Sequence, residues 1–86
     1  MNERKNAGYT IVNAIEICGG EVVLGVNELN PCKYVTWECT NGTNYFWGHY
    51  FTDLLTAQKD FCKRGYDIAD RYLEIRKSQQ ELNLER

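Results

Sequence analysis

The chain has 86 residues, which makes one domain with a thin core, because a chain this short buries only about 60–65% of its unfolded surface. Its hydrophobic fraction of 43% and charged fraction of 26% are those of a globular protein and exclude a disordered chain. A net charge of −2 gives no basic footprint for nucleic acid, and no run of about 18 apolar residues is present to form a membrane-spanning helix.

Residues 1–7 are polar and read as a frayed N-terminus. MNERKNAGYT carries charges but no apolar stretch of about 7–15 residues behind them, so it does not read as a secretory signal. The expected location is the cytoplasm, where Cys18, Cys32, Cys39 and Cys62 would be reduced thiols and not a disulfide framework.

Residues 9–51 carry a β pattern. Ile11, Ile15 and Ile17 lie in a first strand, and Val22, Val23, Leu24 and Val26 in a second. Gly19-Gly20 between them predicts a two-residue hairpin turn, since both central positions require positive φ. That turn puts Ile15, Ile17, Val22 and Leu24 on one face. Residues 27–33, with the single proline Pro31, form a loop. Residues 34–40 read as a third strand, Asn41-Gly42 as a second hairpin signal, and residues 45–51 (YFWGHYF) as a fourth strand.

A two- or four-residue loop at Asn41 puts Val35, Trp37, Cys39, Phe46, Gly48 and Tyr50 on one face. Tyr34, Thr36, Glu38, Tyr45, Trp47, His49 and Phe51 then occupy the other. A three-residue turn would reverse the relation. The first set is assigned to the core beside the isoleucines, which leaves an aromatic second face that needs a cover.

The rest is helical. Thr52 or Asp53 can cap it, and residues 53–82 contain no proline. Asp60–Arg64 and Asp67–Arg71 are i,i+4 pairs of opposite charge. Leu54, Phe61, Ile68, Ile75 and Leu82 recur every seven residues without a phase slip, which predicts one helix running through Gly65. The alternative is a helix that stops at a Gly65 cap and a second one folded back over the sheet. On the stripe, Gly65 would let the helix lie close to the sheet. The predicted fold is therefore α+β: a four-stranded antiparallel meander of two hairpins, followed by one long C-terminal helix packed on one face.

Strands of seven or eight residues span about 25 Å, whereas a helix over 53–82 runs about 45 Å. Its last turns must overhang the sheet and carry Ile68, Tyr72, Leu73 and Ile75 into water unless a partner covers them.

Chemistry is sparse. His49 is the single histidine and sits on the opposite face from Cys39, so no nucleophile–base pair forms. No C-x₂₋₄-C knuckle, P-loop, G-x-G-x-x-G or H-E-x-x-H is present, and no metal or cofactor is expected. Cys39 and Cys62 read as small core fillers. The expectation is a non-enzymatic protein-interaction module that forms a homodimer. Its interface residues would be Tyr45, Trp47, His49 and Phe51 on the sheet and Ile68, Tyr72 and Ile75 on the helix. Two alternatives stand beside it. One is an inhibitor or adaptor of the phage or mobile-element type, acting on a host protein. The other is single-strand nucleic-acid binding on the aromatic face, against which the basic residues' mixture with acids on the helix argues.

Overall fold

The structure, a computed structural model, describes residues 3–84, with side chains described through residue 79. Five antiparallel strands in the order β1-β2-β3-β4-β5 form one meander: β1 (Lys5–Asn6), β2 (Tyr9–Ile17), β3 (Gly20–Val26), β4 (Tyr34–Thr40) and β5 (Asn44–Phe51). A single helix, α1 (Leu54–Leu84), follows and packs on the sheet. The predicted α+β meander with one long C-terminal helix is thus the observed architecture, with one strand more. The addition lies in the stretch expected to fray: Lys5 and Asn6 pair with Thr10 and Tyr9, and Arg4 is tied to Glu21.

The β2–β3 turn is shifted by one residue from the Gly-Gly expectation. Cys18 (φ 52°) and Gly19 (φ 83°) occupy the two positive-φ positions, and Ile17 pairs with Gly20. Gly20 is used differently: a Cβ there would lie 3.2 Å from the Cys39 carbonyl oxygen, so its absence lets β4 approach. Ile15, Ile17, Val22 and Leu24 nevertheless share a face, as expected.

The other faces are set by three irregularities. A bulge at Val12 separates the Ile11–Gly25 pair from the Asn13–Leu24 pair. It sends Tyr9 and Ile11 to one side of the sheet and Ile15 and Ile17 to the other. The second hairpin closes with Thr40 opposite Asn44, a three-residue loop with Asn41 and Gly42 at positive φ. This is the turn that reverses the expected partition, and it places Tyr45 with Cys39 and Phe46 with Glu38. A bulge at Trp47 (φ 56°) then restores the partition, so His49 pairs with Thr36 and Tyr50 with Val35.

The core assignment is corrected accordingly. Val22 pairs with Glu38 and Leu24 with Thr36, so the isoleucine face continues through Tyr34, Thr36, Glu38, His49 and Phe51, and α1 covers it. The helix-side core comprises Val22, Leu24, Ala57, Phe61 and Ile68, flanked by Ile15, Ile17, Tyr34 and Phe51. Val35, Trp37 and Cys39 are buried as expected, but on the far face, with Tyr9 and Val23. Among the described residues no helix covers that face, since α1 packs on the other. The rings cover one another: Trp37 meets Tyr9 edge-on at 5.7 Å, Tyr45 at 5.5 Å and Tyr50 at 6.3 Å between centroids. Arg4 closes its edge, lying 5.7 Å above the Tyr45 ring and donating two bonds to Glu21, at 2.9 and 3.1 Å.

α1 is continuous through Gly65, and the fold-back alternative does not occur. Asp53 caps it, its carboxylate accepting from the Thr56 backbone N–H at 2.8 Å. That bond holds the Asp53 carboxyl below its ordinary range. Leu54, Phe61 and Ile68 mark the expected stripe, although Leu54 stays partly exposed at the helix start; the side chain of Leu82 lies outside the described residues.

Candidate functional site

Two features of α1 leave surface or charge that the fold has to account for. The first is a polar junction between helix and sheet. Arg64 lies one turn after Asp60 on the buried side of α1, and its side chain is nearly inaccessible. Its Nε donates to Asp60 Oδ2 at 3.2 Å, and its Nη1 reaches Glu38 Oε2 on β4 at 3.4 Å. Its Nη2 donates to the backbone carbonyl of Trp47. Asp60 Oδ2 also accepts from Thr36 Oγ1 at 2.5 Å and lies 3.0 Å from His49 Nδ1. Burial raises the Asp60 pKa, but the bonds from Thr36, His49 and Arg64 outweigh it and hold the carboxyl below its ordinary value. The junction satisfies its own charges. Its chemistry is that of a clasp between two layers.

The second feature is the helix beyond the sheet. Its 31 residues run about 46 Å at 1.5 Å per residue, whereas the eight residues of β5 span about 26 Å. The molecule is accordingly 58 Å long. Ile68, 9% exposed, is the last residue of the stripe that the sheet covers. Tyr72 and Ile75 continue the same stripe and are 49% and 50% exposed. Together with Cys18 of the β2–β3 turn, Ala69 and Leu73 they line an open, largely apolar groove.

No family model, curated protein or solved structure matches the chain.

The seven residues singled out from the sequence fall into four places. Tyr72 and Ile75 are on the overhang, and Trp47 is 68% exposed at the edge of α1, its ring 5.0 Å from that of Phe46. His49 is exposed but engaged with Asp60, Phe51 packs on the helix-side core and Ile68 belongs to it. Tyr45 is on the far face, its ring tilted against that of Trp37, and so is not beside Trp47 and His49 as alternation implied. Cys39 and His49 do lie on opposite faces. Cys39 is buried, and burial pushes its thiol up, but Cys62 is exposed on the outer side of α1 and fills no core space.

Sequence reasoning missed Arg64 as a buried residue and Arg4 as a structural one. The Asp60–Arg64 spacing was a signal for the ion pair, whereas Asp67 pairs with Lys63 at 2.9 Å. Among the described residues, no group of three or more His, Cys, Asp or Glu stands where it could hold a metal ion, and no helix is long and apolar enough to cross a membrane.

Proposed function

We propose that the protein is a small non-enzymatic interaction module that self-associates through the apolar surface of its helix. The observation that carries this reading is the continuation of a core stripe into solvent, from buried Ile68 to half-exposed Tyr72 and Ile75. An apolar stripe on a helix that outruns its own sheet is the usual mark of a surface awaiting a partner. Leu73, Tyr66 and Trp47 add to the exposed apolar area on and beside α1. The far face of the sheet adds less, because Tyr9 and Trp37 are already buried by their neighbours. All four cysteines are free, which fits a reducing compartment such as the cytoplasm.

Light scattering across a concentration series tests the proposal. The expected result is a mass approaching twice the 10.0 kDa of one chain. A mass that stays at one chain throughout would remove self-association and leave a different protein as the partner.

A further inference from the structure

The outer side of α1 carries a second pattern, apolar except for Lys59, which leaves the stripe under the sheet and meets its overhang at Ala69 and Leu73. Leu55, Lys59, Cys62, Tyr66, Ala69 and Leu73 follow one another at steps of four, three, four, three and four residues. At 3.6 residues per turn these positions stay within a narrow band, on the side turned away from Ala57, Phe61, Arg64 and Ile68. Leu55 is 72% and Tyr66 70% exposed, and Cys62 and Leu73 are exposed as well. Alternating steps of three and four are the seam of a two-stranded coiled coil, in which each side chain enters a hole on the facing helix. Leu55, Cys62 and Tyr66 lie away from the sheet, so the fold does not require apolar residues there; Ala69 and Leu73 border the groove they share with Cys18, Tyr72 and Ile75.

We infer that this seam receives the same seam of a second copy, with the two helices antiparallel and a two-fold axis near residue 64. The inference rests on the self-association reading and names the face that carries it.

Two observations select a second copy in this orientation. The first is size. With the axis at that level, Leu55 faces Leu73 of the second copy, Lys59 faces its Ala69, and Cys62 faces its Tyr66. Large meets small at both inner levels, and leucine meets leucine at the ends, so one sequence supplies both halves of a filled interface. The Lys59 stem can lie over Ala69 and keep its ammonium in water.

The second is charge. Antiparallel pairing sets Lys59 of each copy beside Asp70 of the other, two exposed groups of opposite sign. Parallel pairing would instead stack Lys59 on Lys59 in the seam, which disfavours that orientation.

Disulfide cross-linking of full-length chains tests the geometry. Two single-site chains, Leu55→Cys and Leu73→Cys, are each made with Cys18→Ser and Cys62→Ser. Under mild oxidation the mixture of the two is expected to give a covalent dimer, and each chain alone little or none. A Leu55→Cys chain that cross-links to itself as well as the mixture does would make the pairing parallel and overturn the proposal.

Tyr66→Glu supplies the second arm. It is expected to weaken self-association about tenfold or more while leaving the helical circular dichroism unchanged. A native chain that dimerises, but whose Tyr66→Glu and Leu73→Glu forms dimerise equally well, would overturn the seam and leave self-association to the Tyr72–Ile75 stripe. A native chain that stays at 10.0 kDa would overturn both.

Discussion

The guanidinium of Arg64 donates to the backbone carbonyl of Trp47, joining the buried side of the helix to the bulge in the last strand. The bulge takes Trp47 out of the ladder, since Thr36 pairs with His49 and Glu38 with Phe46 on either side of it. Arg64 uses the same planar fork to hold Asp60 and Glu38, both of which are largely shielded. Replacing it with methionine keeps most of the stem but removes the Arg64 donor from Glu38 and from the Trp47 carbonyl, and leaves Asp60 with Thr36 and His49 alone. Urea denaturation of Arg64→Met should show a loss of about 3 kcal/mol, in the range for a buried pair that loses one partner. A loss under about 1 kcal/mol would mean that water already satisfies these groups.

The carboxyls in these clasps make stability depend on acid. Asp60 and Glu21 are both held below their ordinary values of 3.8 and 4.5. At Asp60 burial works upward, and the bonds from Thr36, His49 and Arg64 prevail; at Glu21 the Arg4 bonds dominate. The folded state therefore binds these protons less readily than the unfolded chain. Their contribution is fully present above the unfolded values and is lost as pH falls through the lowered folded values. The urea midpoint should hold steady from about pH 7 to about pH 5 and fall below about pH 4.5. In the Asp60→Asn, Glu21→Gln double variant that fall should be shallower. An equally steep fall would place the acid sensitivity in other groups.

Two glycines give opposite signs for the same substitution. A Cβ on Gly65 would lie 3.5 Å from Ile15 Cδ1, an ordinary contact, in the interior of a continuous helix. Close packing alone therefore does not demand glycine there. Gly65→Ala should raise stability by about 1 kcal/mol, seen as about 4–8 °C in the melting temperature. A Cβ on Gly48 would lie 2.7 Å from Trp37 Nε1 and 3.0 Å from Tyr50 Cε1. Trp37 is held between Tyr9 and Tyr45 and has little room to move. Gly48→Ala should cost about 1–3 kcal/mol by overpacking. Thermal melts of the two variants on opposite sides of the native value would confirm the contrast.

How far the sequence leads depends on how far each signal reaches. The helix is legible because Leu54, Phe61, Ile68 and Ile75 hold one phase over three heptads, and Asp53 caps it locally. The strands and turns are legible through β-branched runs and glycines. The faces are not, because each of three single-residue events flips every side chain beyond it. Val12 and Trp47 are ordinary strand residues by type, so nothing marks them as bulges. Thr40 opposite Asn44, not Thr43, is a choice between loops that Asn41-Gly42 serves equally. Arg64 reads as a helix-surface partner of Asp60; the carbonyl that draws it inward becomes available only through the Trp47 bulge. The surface of the helix overhang was accessible from length alone, since it follows from the rise per residue in strands and helices.

Trp47 combines an unfavourable backbone with an exposed ring, and the two can be separated by substitution. Its φ of 56° lies in the left-handed region, which costs a bulky residue about 1–2 kcal/mol. The fold holds it there through its carbonyl, whereas the ring rests against Phe46 and the residue is 68% exposed. Asparagine tolerates this conformation better than alanine because its side chain can bond to its own backbone. Trp47→Asn should therefore melt at a temperature equal to or above that of Trp47→Ala, with both retaining native circular dichroism. If the ring touches a second copy, both variants should also shift the light-scattering mass toward a single chain at concentrations where the native protein is associated. Unfolding of both would mean that the ring supports the core; unchanged association with an intact fold would assign the interface to α1 without it.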